Sequence, residues 1–342
     1  MSGTSLDGLD ICLTEFEFPN VQNFKILFAE TVNYNEKFRL KLKQSIDFNG
    51  EELTKLDIEF GVLSGKIINE FIQKNKIEKV DLIASHGHTV FHNPNENYTL
   101  QIGNGNAIRL ETGVKTVYDF RTQDVLLGGQ GAPLVPIGDE LLFGNYDACL
   151  NLGGISNISF RKNDKRIAFD ISPFNLVLNH LAEKLGKPFD ENGNLAKSGE
   201  IDWKLLDELN GLKYYQTQPP KSLGIEFCYE NVFPMIENSG LKTEDLLATF
   251  SEHFAFQIAE IFNQNHLKNV LITGGGAYNE FFIKTLKAKT STEIILPENQ
   301  IIDFKEALIF ALMGLLKIEN QINVLASVTG AERNHSSGIV LF

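Results

Sequence analysis

Short β-branched or aliphatic runs that stop at glycine, asparagine or aspartate, separated by longer stretches of helical periodicity, constrain this chain more than any other feature. Runs of three to six such residues suit strands buried in a sheet, and their alternation with helices points to an α/β architecture. The strand candidates are Val80 to Ala84, Thr116 to Tyr118, Ala148 to Leu152, Ile155 to Phe160, Val270 to Thr273 and Ile294 to Leu296. Between them, Leu53 to Ile77 is amphipathic. Thr243 is placed to cap a helix that has Glu244 and Asp245 in its first turn and Leu247, Phe250, Phe254, Ile258 and Ile261 at helical spacing. The longest apolar run, Ala307 to Leu316, falls short of the ~18–20 residues that span a bilayer and reads as a buried helix.

A length of 342 residues favours two domains over one. The net charge of −13 repels phosphate backbones and anionic lipid, which disfavours nucleic acid and membrane partners. Cys12, Cys149 and Cys228 are odd in number and fit neither a disulfide framework nor a zinc ribbon. The start, MSGTSLDGLD, has no basic or apolar leader pattern, so a reducing, cytoplasmic setting is expected.

Three glycine clusters adjoin strand-like sequence. Glycine lets backbone N–H groups converge on phosphate, and nearby hydroxyls add donors. Gly3-Thr4-Ser5-Leu6-Asp7-Gly8 supplies two hydroxyls and a carboxylate suited to Mg²⁺; Gly153-Gly154 and Thr273-Gly274-Gly275-Gly276 each follow a strand. A tight structural turn is the plainer reading of any one of them, whereas all three together favour nucleotide binding. P-loop and Rossmann fingerprints are missing.

His86, His88 and His92 lie within seven residues, but no carboxylate or thiolate nearby completes a metal shell, so hydrogen-bonding histidines are the better reading. Asp119 and Arg121 read locally as an exposed ion pair, and Asp170, ahead of Pro173, reads locally as a helix cap. Serine hydrolase and zincin motifs do not occur.

The segments MSGTSLDGLD, ASHGHTVFHNP, LQIGNG, YDFRTQDVLLGGQGAPLVP, NLGGISNIS, AFDISPFN, ITGGGAYN and DFKEALIFALMG, in this order, resemble the anhydro-N-acetylmuramic acid kinases. The resemblance runs from residue 1 to about 314. It implies an α/β fold of two duplicated actin/hexokinase-like (ribonuclease H-like) domains with an interdomain cleft. The expected division is 1–135 and 136–342, with a C-terminal helix near 303–319 packing back on the first domain.

The resemblance also implies ATP and Mg²⁺, and phosphorylation of O6 of an anhydro amino sugar while water opens the anhydro bridge at C1. Asp170 matches the family's base. Gly3, Thr4, Ser5, Leu6, Asp7, Gly8, Leu9 and Asp10 would wrap phosphates and metal, with Asp7 as metal ligand; Gly153, Gly154, Gly274, Gly275 and Gly276 would complete the nucleotide site. Ser85, His86, Asp119, Arg121 and Glu306 match positions near the sugar. A cationic Arg121 suits a substrate that carries a lactyl carboxylate. A homodimer is left open.

Three departures stand out. The family's Asp-Thr-Gly-Pro-Gly-Asn has become Asp170-Ile171-Ser172-Pro173-Phe174-Asn175, which puts sugar specificity in question. The family's Gln has become His88 in Ser85-His86-Gly87-His88-Thr89. The family's apolar strand before Met-Ser-Gly-Thr-Ser has no counterpart ahead of Met1, which leads to the expectation of weak ATP binding without it. The rival readings are a non-catalytic nucleotide or sugar sensor and a kinase for a different amino sugar.

Overall fold

The computed structural model describes residues 1–3, 6 and 8–342. Thr4, Ser5 and Asp7 of the first glycine cluster lie outside the described residues. In chain order the strands are β1 (Gly8–Phe16), β2 (Phe24–Asn33), β3 (Ile83–Ser85), β4 (His88–Asn93), β5 (Tyr98–Ile102), β6 (Thr116–Tyr118), β7 (Ala148–Leu152), β8 (Ser156–Lys162), β9 (Lys165–Ser172), β10 (Asn269–Thr273), β11 (Glu293–Ile295) and β12 (Ile339–Leu341). The chain forms two compact units: Met1–Leu142 with Phe304–Phe342, and Phe143–Asp303. The division thus falls at 142/143, and residues 304–342 pack with the first unit.

In the first unit β3 pairs in parallel with β6, and β12 pairs antiparallel on its other side. The helix Asn299–Ile318 lies against this sheet at Gly314, where a methyl group would come 2.7 Å from the Ala84 side chain. Two antiparallel ribbons, β1–β2 and β4–β5, complete the strands. The helix Gly50–Lys74 starts at a capping box between Asn49 and Glu52 and buries Leu56, Phe60, Ile67 and Phe71 along one stripe. Of the expected strand Val80 to Ala84, only Ile83 and Ala84 pair; the preceding residues form the approach.

In the second unit the sheet order is β11-β10-β7-β8-β9, parallel from β11 to β7 and antiparallel from β7 to β9. One face is covered by the helix Thr243–Gln264, whose Leu247, Phe250, Phe254 and Ile258 are buried at helical spacing. Its cap differs from expectation: Lys242 holds the N-cap position without a side-chain bond, and Thr243 is already helical. The favourable first-turn charge of Glu244 and Asp245 remains.

Candidate active site

Parallel strands bring their carboxyl ends side by side, and each unit has such a pair. In the second unit Asn151 of β7 lies opposite Thr273 of β10, so the turn Gly153-Gly154 and the turn Gly274-Gly275-Gly276 leave the sheet together. Gly274 has φ 84°, and a Cβ there would sit 2.5 Å from Asn151 Oδ1 and 2.9 Å from the Leu152 carbonyl carbon. Only glycine fits such a backbone without strain. Gly275 is different, for a Cβ there would meet nothing closer than 3.9 Å. Its backbone therefore faces open space.

The next helix, Phe174–Lys184, is tied to the same corner. Asn175 N–H donates to Gly153 O at 3.2 Å, Leu176 N–H to Gly154 O at 3.0 Å, and Asn175 Nδ2 to Leu152 O at 3.2 Å. Pro173 occupies its N-cap position, one residue earlier than the first turn expected for it, and makes no capping bond.

Asp170 belongs to the same sheet row as this corner. The register runs Thr273, Asn151, Asn157, Asp170 across β10, β7, β8 and β9, three interstrand steps or about 14 Å. The β8–β9 register then shifts, leaving Ile171 as the extra residue of a bulge beside Asp170. Asp170 Oδ2 accepts a hydrogen bond from Leu223 N–H at 2.8 Å, so its carboxylate does not cap the helix that follows. Burial pushes its carboxyl above the usual range, and the Leu223 N–H opposes that shift.

The residues that depart from the family pattern after Asp170 turn inward. Ile171 and Phe174 lie in the core, with the Phe174 ring 4.6 Å from that of Phe282 and 5.5 Å from that of Phe254. Ser172 is buried against Ser156, with 2.8 Å between their hydroxyls. A sequence motif lists neighbours but not directions. These three side chains line no ligand-facing surface of the unit.

In the first unit the paired ends are Ser85 of β3 and Tyr118 of β6, which bring His86 and Arg121 together. Arg121 Nε–H donates to His86 Nε2 at 2.9 Å, and His86 Nδ1–H donates to Gly87 O at 3.1 Å. Burial, and then the neighbouring Arg121 charge, hold the His86 imidazole well below its usual pKa. It is a neutral acceptor packed 4.6 Å from the Phe310 ring. His86 therefore reaches Arg121 and not open space.

Asp119 and Arg121 are not an ion pair. Asp119, at φ 55°, accepts from Thr122 N–H at 3.2 Å. Glu306 faces solvent, yet loss of surrounding water raises its carboxyl, against the attraction of Arg121 and the Met1 ammonium and with Asp10 adding repulsion. Among the residues of the first cluster that are described, Gly8, Leu9 and Asp10 are in strand β1 and not in a loop. Leu9 buries its side chain, and Asp10 Oδ1 accepts from Thr31 Oγ1 at 2.6 Å. Asp10 N–H also donates to Met1 O at 2.9 Å, and the Met1 ammonium donates to Asp10 O at 2.8 Å. Leu6 N–H donates to Gly3 O at 3.4 Å.

The open backbone at Gly275 fits a phosphate. For a metal the described residues offer no cluster of three or more His, Cys, Asp or Glu side chains, and Asp7 is outside them. His88 and His92 turn to Ser2 Oγ at 3.3 Å and Thr99 Oγ1 at 3.0 Å. Asn151 and Asn157 were not singled out from sequence, although an amide inside an apolar strand is a signal in itself. Tyr214 and Lys221, which bond to the Asp170 backbone through Oη and O, were missed too, and had no such signal.

A bare-backbone corner and a partly desolvated carboxylate lie in one sheet row, an arrangement compatible with phosphoryl transfer. Comparison with known proteins names its kind. The family model for anhydro-N-acetylmuramic acid kinase matches residues 1–342. Curated relatives called anhydro-N-acetylmuramic acid kinase include one from Haemophilus influenzae, 34% identical over 99% of this chain and 96% of its own length. Another, from Mannheimia succiniciproducens, is 35% identical over 99% of this chain and 97% of its own. The chain belongs to the anhydro-N-acetylmuramic acid kinase family. Among solved structures, the activator of the 2-hydroxyisocaproyl-CoA dehydratase from Clostridium difficile with bound ADPNP aligns with a TM-score of 0.39 at 16% identity, over 65% of this chain and 86% of that one.

Proposed function

We propose that this phosphotransferase uses ATP with Mg²⁺ to convert 1,6-anhydro-N-acetylmuramic acid to N-acetylmuramic acid 6-phosphate, as a step of cell-wall recycling in a bacterial cytoplasm. Asp170 accepts a proton from water as the water oxygen bonds to C1; the C1–O6 bond breaks, and O6 takes the γ-phosphoryl group as its bond to the leaving ADP breaks. The observation that carries this reading is the position of Asp170, free of any capping duty, in the sheet row of the glycine corner. Its raised carboxyl makes it a stronger base than an exposed aspartate.

The open backbone at Gly275, with Gly153, Gly154, Gly274 and Gly276 shaping the turns, supports a role in holding phosphates. When bound, Mg²⁺ supplies charge neutralisation for the transferred group, and Asp7 is its proposed ligand within the segment Gly3 to Asp10. Arg121 is oriented by His86 to pair with the lactyl carboxylate, with Ser85, Asp119 and Glu306 nearby in the same unit. The duplicated origin of the two units, and a small-molecule sugar as the main partner, belong to the same proposal. The described residues contain no helix long and apolar enough to cross a membrane.

The sensor reading drew in part on the altered residues after Asp170, and their inward packing takes away that part of its motive. Asp170→Asn keeps the side chain's shape and removes proton acceptance. It is expected to lower turnover, measured as ADP release with 1,6-anhydro-N-acetylmuramic acid, about 10²–10⁴-fold with ATP affinity unchanged. Wild-type turnover in this variant would show that Asp170 is not the base.

A further inference from the structure

Asp170 sits on β9, the edge strand of its sheet, so the backbone groups that face away from β8 have no ladder partner. A non-strand segment supplies those partners. Tyr214 Oη donates to Asp170 O at 2.8 Å, Asp170 N–H donates to Lys221 O at 3.2 Å, and Leu223 N–H donates to Asp170 Oδ2 at 2.8 Å. Main chain on both sides of the Asp170 Cα and one of its two carboxylate oxygens are thus held by residues 214–223.

The segment has its own footing. The Lys221 ammonium lies 4.5 Å from the Tyr214 ring centre and donates to Tyr214 O at 3.3 Å, closing the segment on itself. The Tyr214 ring also packs 5.4 Å from that of Phe227. Tyr215 meets the ring of His253 edge-on at 4.8 Å, and His253 Nδ1–H donates to Asn210 Oδ1 at 2.7 Å. Burial lowers the His253 pKa to about 3, so this footing keeps a neutral imidazole throughout the neutral range. Pro219 and Pro220 restrict the backbone between the Tyr214 and Leu223 contacts.

We propose that residues 214–223 form a strap that positions Asp170, in which Tyr214 fixes the strand at the base and Leu223 N–H holds Oδ2 so that Oδ1 is presented to the attacking water. This rests on the assignment of Asp170 as the base. Tyr214 and Leu223 are positioning residues, since they act through Asp170. The ionisable groups beside Asp170 in the strap are the Tyr214 hydroxyl, whose own pKa burial raises, and the Lys221 ammonium, which is turned to the Tyr214 ring.

The test uses the full chain with ATP and 1,6-anhydro-N-acetylmuramic acid. Tyr214→Phe removes a single hydroxyl and is expected to lower kcat about 5–10-fold with both KM values unchanged. Leu223→Pro removes the N–H, and the acid limb of its kcat–pH profile is expected to move upward, because the carboxylate loses the donor that holds its pKa down. Leu223→Ala keeps the N–H and its limb stays at the wild-type position. Should Leu223→Pro fail to fold, the split between kcat and KM in Tyr214→Phe decides alone. Unchanged kcat in Tyr214→Phe, or a loss shared with KM for ATP and accompanied by a lower Tm, overturns the strap. Asp170→Asn is measured alongside: if it is inactive while Tyr214→Phe is unaffected, the strap fails and the base stands, whereas an active Asp170→Asn removes the base itself.

Discussion

The corner at the ends of β3 and β6 and the corner at the ends of β7 and β10 use one topological device with opposite chemistry. Both place the carboxyl ends of two adjacent parallel strands together. The first fills the space with a buried histidine that holds an arginine, and the second leaves its space to glycine backbone. Binding by side chains tunes charge and can be altered one residue at a time. A corner of bare backbone depends on what is missing, and a methyl group would intrude at Gly274 and Gly276 while Gly275 stands open.

That contrast predicts its largest effect at Gly274. Gly274→Ala forces a left-handed backbone on alanine and drives its methyl group toward Asn151 and the Leu152 carbonyl; the expected loss is about 3 kcal/mol or more in urea unfolding, with weakened ATP binding. Normal stability and ATP affinity would break the contrast by showing that the glycine corner yields. A smaller effect is expected at the other corner. Arg121→Ala should raise KM for the muramyl sugar about 10–100-fold, more than for a sugar without the lactyl group, and leave ATP affinity near wild type, with about 1–3 kcal/mol lost in stability because the buried His86 Nε2 loses its donor. Equal losses on both sugars would make Arg121 a structural residue.

The smallest effect concerns pH. His86 has a depressed pKa in the folded protein, so between pH 8 and 6 it stays neutral, and KM for the muramyl sugar should show no inflection from it. Nitrogen-detected histidine spectra at pH 6 should find Nε2 unprotonated and Nδ1 protonated. The stability this group contributes is present above the unfolded value near 6.5 and is lost as pH falls below it, since the unfolded chain takes up the proton first. A protonated Nε2 at pH 6 would remove the acceptor on which the Arg121 orientation depends.

The glycine corner was legible only in combination, because one glycine cluster after an apolar run reads as an ordinary turn while several together do not, and the α/β alternation was legible because most buried strands ended at such residues. The charged corner was half legible. His86 and Asp119 were visible as residues, but their partners are set by pairing between β3 and β6, which the local sequence Tyr118-Asp119-Phe120-Arg121 does not encode. The ribbon β1–β2 went unseen because Asp10, Thr14, Glu15 and Thr31 interrupt its apolar pattern, as expected of strands with accessible faces. The contacts on Asp170 from 214–223 were invisible for another reason: two of the three use backbone groups of Lys221 and Leu223, which any residue but proline could supply in the donor's place.

The inward ring of Phe174 carries a consequence for recombining this chain with its relatives. Its Cε1 lies 2.4 Å from where a Cβ on Gly276 would be, and its ring is wedged against Phe254 and Phe282. Positions 174, 254, 276 and 282 therefore form one volume shared by three distant parts of the sequence. A chimera that imports glycine at 174 without the matching partners inherits a void costing about 3–5 kcal/mol, and one that imports a larger residue at 276 inherits a clash. Crossover points that keep those four positions from a single parent should give folded hybrids, and those that separate them should not.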